Sequence, residues 1–211
     1  MIMKLYVTFT SPYARLARIL LFEKGLQERV EVIGAQTRSA GSPYYAINPS
    51  GRVPYLIDDA GVGMEDSQLI CAYLDNLDGK PRFHRSSSER DWADGRLEAK
   101  ARSLCDGIAV WVREMSRPES ERSPTVLAHE AARARRLANL FETEAGTTLL
   151  QETPAMGHLV LAVALEFASD RGFGDLTEGR PQLRAWFARM RSLPSLQATA
   201  SSASRSSDAR K

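Results

Sequence analysis

The chain has 211 residues, 43% hydrophobic and 26% charged, with a formal net charge of +2. That length suits two compact domains, and the composition is globular rather than membrane-embedded or disordered. Acidic and basic residues are interspersed, which excludes the one-signed field of a nucleic-acid binder, and no apolar run approaches the ~18 residues that span a bilayer. Two cysteines, Cys71 and Cys105, are too few for a disulfide framework and read as free, buried thiols. His84, His129 and His158 lie far apart without metal-ligand spacing, so no metal is expected. The opening Met1-Ile-Met-Lys-Leu-Tyr runs into a strand pattern with no leader-like sequence, and a cytoplasmic location is the expectation.

Taken in order, Lys4–Phe9 is rich in β-formers and is punctuated by Ser11-Pro12. Leu16, Ile19, Leu20 and Phe22 then recur at helical spacing, with Arg15, Arg18, Glu23 and Lys24 between them. Gly25 stands where a helix stops, and Arg29–Ile33 alternates as a second strand, which predicts a β-α-β unit. Residues 34 to 52 read as loop, with a short helix near Tyr44-Tyr45-Ala46. Pro54–Asp58 and Val62–Glu65 flank Asp59-Ala60-Gly61 as a hairpin, and Ser67–Leu77 is helical.

From Asp78 to Ser88 the Gly, Pro, Arg and Ser content marks a linker. The remainder predicts an all-α helical bundle. Its helices are Glu89–Met115, Thr125–Ala145, a strongly apolar core helix over Thr153–Ala168, and Pro181–Leu193. The expected domains are therefore 1–79, a linker over 80–88, a helical domain over 89–199, and a flexible tail over 200–211.

A front order of strand, helix, strand, loop, two strands, helix is the thioredoxin-like plan. Within it, three stretches resemble the glutathione transferases: Ser11-Pro-Tyr-Ala-Arg-Leu-Ala-Arg, Asn48-Pro-Ser-Gly-Arg-Val-Pro-Tyr-Leu, and Glu65-Asp-Ser-Gln-Leu-Ile. Their order, with an all-helical half ending near Pro194-Ser-Leu-Gln-Ala-Thr, extends the resemblance over nearly the whole chain. The Ser-Pro-aromatic opening is similar to serine-type bacterial and plant tau-like members. The resemblance implies an α/β thioredoxin-like N-terminal domain, an all-α helical-bundle C-terminal domain, a homodimer, and glutathione as co-substrate with no permanently bound cofactor. The implied role is detoxification.

Each stretch has a plain structural reading beside the functional one. Ser11 before Pro12 is ordinary N-cap chemistry. The resemblance makes Ser11 the donor to a glutathione thiolate at a helix N-terminus, where negative charge is favoured, with Tyr6 as the alternative hydroxyl. Val53-Pro54 reads as a strand start, and only about 5% of X–Pro bonds are cis. The resemblance implies a cis Pro54 that presents the Val53 main chain to the tripeptide as an added strand would. Arg52 is either a contact to the glycine carboxylate or a solvated surface arginine. Asp66-Ser67 is a good cap signal, and it is also an anion site where Ser67 would hold the γ-glutamyl carboxylate while Asp66 takes the amino group.

Departures from the family pattern narrow the chemistry. Ser11 stands where omega-type members carry cysteine, and Tyr13 stands where the maleylacetoacetate isomerase type does, so thiol-disulfide exchange and that isomerisation are disfavoured. The pocket for a hydrophobic electrophile is expected between the domains, at Tyr13 and at Cys105, Ala109, Trp111 and Val112, although core packing explains the apolar residues equally well. In the rear domain the usual cap positions of the core helix hold Ala155 and His158. Thr153 with Pro154 at the first helical position is the expected replacement, leaving His158 structural. The leading function is conjugation of glutathione to an electrophile. The alternative is a noncatalytic glutathione-fold ligand carrier or partner-binding regulator.

Overall fold

A computed structural model describes residues 2–84, 89–146 and 154–200. Residues 85–88 of the expected linker, Thr153, and the expected tail from 201 lie outside the described residues. The chain forms two compact units, Met1–His84 together with the segment from Pro194, and Arg85–Leu193.

The front unit runs β1 (Met3–Val7), α1 (Pro12–Glu23), β2 (Val30–Gly34), α2 (Tyr44–Ile47), β3 (Tyr55–Ile57), β4 (Gly63–Glu65) and α3 (Ser67–Asn76). Its four strands lie in the order β2-β1-β3-β4; β1 is parallel to β2, and the other two pairings are antiparallel. The β1-α1-β2 crossover enforces the parallel pair, and the three-residue strands β3 and β4 meet in a hairpin. Leu5, Val7 and Leu56 in the two central strands are 0% exposed, as are Leu16, Ile19 and Leu20 of α1 and Ile70 and Leu74 of α3. Leu26 is buried just after Gly25, whose φ of 63° lets the chain leave α1 and turn into β2.

The expected domain limits need one correction. Pro194–Ala198 forms a short helix, α8, that joins the front unit rather than the helical one. Arg15 and Glu23 of α1 bond to it, contacts between residues about 180 apart that no local pattern signals.

The helical unit contains α4 (Glu89–Met115), a 3-10 turn (Glu119–Glu121), α5 (Pro124–Ala145), α6 (Met156–Asp170) and α7 (Pro181–Arg191). Leu159 through Leu165 on α6 are each at most 1% exposed, so this helix is surrounded, as its apolar run predicts. Gly157 lets it approach α4 closely, since a Cβ there would stand 2.7 Å from the Glu98 backbone nitrogen.

The start of α6 overturns the cap expected at Thr153. Ala155 is the N-cap, in extended geometry, and the helix begins at Met156, not Pro154. The buried His158 ring accepts the Ala155 N–H through Nδ1 at 3.1 Å, while the His158 N–H donates to the Ala155 carbonyl at 3.0 Å. An imidazole nitrogen thus supplies the acceptor that a Glu or Gln side chain supplies in a capping box, and His158 carries the capping role given in expectation to Thr153.

Candidate functional site

The strand register brings the three sequence stretches to one end of the front sheet. Tyr6 pairs with Tyr55, and Tyr55 with Glu65, forming one row across β1, β3 and β4. The chain leaves that row toward Ser11 after β1, enters it from Val53-Pro54 before β3, and leaves it into Asp66-Ser67 after β4. A short β-rich run, a proline at a strand start and a capped helix are each common alone. Pairing in this register places them side by side.

Ser11 is the N-cap of α1, with φ −81° and ψ 123°, and Pro12 follows at the first helical position. Its Oγ accepts the Ala14 N–H at 3.2 Å, and its own N–H donates to the Thr8 carbonyl at 3.1 Å. The cap uses an oxygen lone pair, so the hydroxyl proton is left to be donated. No acidic residue occupies the first turn of α1, and the positive end of the helix is not neutralised from within the turn. Tyr6, the alternative hydroxyl, is 9% exposed and lies in β1, with its ring 5.7 Å from that of Tyr44.

The Val53–Pro54 peptide bond is cis, as the resemblance implies. Among the described residues, neither the N–H nor the carbonyl of Val53 has a hydrogen-bond partner. The loop before it is braced on a buried residue whose part the sequence does not announce. Asn48, 3% exposed, donates through Nδ2 to the Arg52 carbonyl at 3.0 Å and to Glu65 Oε2 at 3.2 Å, and accepts the Ser50 N–H at 3.2 Å. Tyr44 Oη donates to the same Arg52 carbonyl, and Ser50 Oγ donates to Glu65. Asn48, Tyr44 and Glu65 therefore tie the approach to Val53 to the end of β4. The only local signal for them is that they fall in or beside the quoted stretches. Arg52 is exposed.

Asp66 is the N-cap of α3, accepting the Gln68 N–H at 2.8 Å and the Leu69 N–H at 3.2 Å through Oδ1. Its φ of 78° with ψ of 121° lies outside the regions that residues other than glycine favour. Such strain costs of order 1–3 kcal/mol and collects at functional sites. Ser67, in the first turn, is 7% exposed, whereas Asp66 is exposed. The first turn of α3 carries no acidic residue.

The remaining expected residues separate by unit. Tyr13 lies half-buried in the first turn of α1. Cys105 and Ala109 on α4 are 1% and 7% exposed, and Val112 is half-buried. Trp111 packs edge-on against Phe173 at 4.9 Å and borders a cleft of about 480 Å³ within the helical unit, with Ala131, Arg135 and Leu176. Cys71 and Cys105 are free and buried.

Comparison with known proteins follows the same division. Residues 5–82 match the family model for the glutathione S-transferase N-terminal domain, and residues 124–189 the one for the C-terminal domain. An uncharacterised GST-like protein of Escherichia coli K12, YibF, is 28% identical over 170 residues, covering 80% of this chain and 83% of that protein. A glutathione transferase family member from Pseudomonas fluorescens Pf-5, solved with bound glutathione, superposes with a TM-score of 0.85 at 27% identity, covering 93% of this chain and 98% of that one. A glutathione S-transferase from Methylobacillus flagellatus, also solved with glutathione, gives a TM-score of 0.85 at 25% identity, covering 94% and 98%.

Proposed function

Because the chain belongs to the glutathione S-transferase superfamily, we propose that it binds glutathione at this end of the front sheet and conjugates it to an electrophilic small molecule. The observation that carries the reading is the Tyr6–Tyr55–Glu65 row, which gathers a helix-capping hydroxyl, an unpaired main-chain edge and a second helix N-terminus along one line. An extended tripeptide with a carboxylate at each end and a thiol between them has the complementary chemistry.

In this reading the Val53 N–H and carbonyl pair with the cysteinyl residue of glutathione, as an added strand pairs with an edge. Pro54 shapes that edge. Ser67, at the N-terminus of α3 where the helix dipole favours negative charge, holds the γ-glutamyl carboxylate, and Asp66 takes the α-amino group. Arg52 offers its charge to the glycine carboxylate. Ser11 donates its proton to the sulfur, making it a serine-type member with a tau-like opening. Lowering a thiol pKa by two units corresponds to ~2.7 kcal/mol of thiolate preference. A hydrogen bond to a charged acceptor contributes ~1.5–3 kcal/mol and a helix N-terminus ~0.3–1 kcal/mol, so the two suffice.

The thiolate sulfur then attacks an electrophilic carbon. The new S–C bond forms as the leaving group departs with its bonding pair, and the thiol proton passes to solvent. Tyr13, beside Ser11 in the same turn, borders the second substrate. Exposed apolar side chains, Leu69 at 55% and Trp92 at 74%, support a homodimer in which a second copy covers them.

The test pairs binding with ionisation. Ser11→Ala should leave glutathione affinity nearly intact and raise the pH at which the bound thiol ionises, because the lost bond belongs to the thiolate form. An unshifted thiolate absorbance titration would remove Ser11 from this role. Retention on immobilised glutathione without turnover of an aryl halide would instead indicate a noncatalytic carrier or regulator.

A further inference from the structure

We propose that the C-terminal segment Pro194–Thr199 is a positioning element for the Ser11 turn, joined to it through the Arg15 side chain; this rests on the role proposed above for Ser11. Arg15 lies one turn into α1, and its backbone N–H donates to the Ser11 carbonyl at 3.0 Å. Its side chain runs the other way. The guanidinium is buried, at 6% exposure, and donates to the Leu196 carbonyl at 3.0 Å and to Thr199 Oγ1 at 3.4 Å. Arg18, one turn further, donates to the Thr199 carbonyl at 3.4 Å and stacks over the Phe9 ring at 4.9 Å.

Two cations three residues apart on one helix repel, and removing them from water adds to the cost. Burial, and after it the charge of Arg15, lower Arg18 to about 10, so Arg18 remains charged at neutral pH. The carbonyls at the end of α8 offset that cost, since a helix's last C=O groups lack helical partners and attract cations. The far end of α1 is tied to the same segment, where Ser195 Oγ donates to Glu23 Oε1 at 2.6 Å, and Glu23 also pairs with Arg82 at 3.2 Å. Leu196 and Thr199 are 1% and 0% exposed. The segment thus grips α1 near both ends, through a side chain whose own amide fixes the carbonyl of the thiol-activating residue. A hydroxyl that must meet a sulfur within a few tenths of an ångström needs such support around it.

A merely structural role would lower stability without changing the thiol chemistry, so the two are separable. In the full-length protein, Arg15→Met and Thr199→Val should each raise the ionisation pH of bound glutathione, Arg15→Met by at least half a unit, about a threefold fall in the ratio of thiolate to thiol. Thr199→Val removes one hydroxyl at nearly constant shape and serves as the test if Arg15→Met fails to fold. Both should lower kcat with an aryl halide, while affinity for S-methylglutathione, which has no thiol to ionise, stays within about twofold of wild type. Arg15→Lys, a cation without the two-pronged guanidinium, should recover only part of the shift. A folded variant with an unshifted titration overturns the proposal. If the wild-type protein itself shows no lowered thiol pKa, the role of Ser11 falls and this proposal falls with it; a lowered wild-type value with unmoved variants refutes the positioning role alone.

Discussion

Asp75→Asn should destabilise the front unit by about 3 kcal/mol or more. Asp75 is near the end of α3, is 0% exposed, and closes the segment Arg82–His84 against the fold. Its Oδ1 accepts the Arg82 N–H at 2.9 Å, and its Oδ2 accepts the Phe83 and His84 N–H groups, both at 2.8 Å. The His84 ring is 3.3 Å from Oδ2, and Lys24 Nζ is 3.6 Å from Oδ1. Asparagine keeps one oxygen for Arg82 but turns an NH2 group toward two donors. Two hydrogen bonds to a charged acceptor, at ~1.5–3 kcal/mol each, set the scale, and breaking a buried charged network typically costs ~3–5 kcal/mol. The measurement is guanidinium denaturation of wild type and variant at pH 7. The pH dependence has a definite sign. Burial by itself would raise the carboxyl pKa, but hydrogen bonds from the His84 ring and from the Arg82, His84 and Phe83 amides outweigh it and hold Asp75 well below the usual carboxylate range. A depressed folded-state pKa contributes stability that is fully present above the unfolded value of ~3.9 and is lost as pH falls below it. The gap between the two proteins should therefore be full at pH 5 to 7 and shrink progressively below pH 4. A difference under about 1 kcal/mol at pH 7, or one independent of pH down to 2, would refute this account.

Three further outcomes follow from the same structure. Ser67→Ala should weaken glutathione binding by ~1–3 kcal/mol, read by calorimetry, and unchanged affinity would remove Ser67 from the site. His158→Ala should cost ~1 kcal/mol or more, the usual worth of a lost helix cap, because the Ala155 N–H loses its acceptor; chemical denaturation showing it neutral would contradict the observed start of α6. Gly157→Ala should cost ~1–3 kcal/mol by overpacking, since its Cβ would press on the α4 backbone, and stability equal to wild type would mean the helices separate freely.

Local chemistry alone specified most of the secondary structure of this protein. Ser11-Pro12 starts a helix, Gly25 ends one, and the apolar run of α6 marks a surrounded helix, because caps, turns and burial periodicity act over a few residues. The stretches at Ser11, Val53-Pro54 and Asp66-Ser67 read locally as a helix cap, a strand start and a second cap, and only their order and their resemblance to the glutathione transferases singled them out. What local pattern did not determine was anything resting on contacts between distant residues. Whether Pro54 is cis is invisible to propensity, and Asn48 as a brace appears only when the loop closes on Arg52 and Glu65. The start of α6 at Met156 rests on the ring of a buried histidine, His158, accepting the Ala155 N–H, which a local cap pattern does not announce. The turn at Pro194–Ala198, which falls inside the expected helical domain of 89–199, was claimed by the front unit through Arg15 and Glu23, side chains about 180 residues away whose burial is tolerable only with the carbonyls and hydroxyls of that turn to receive them.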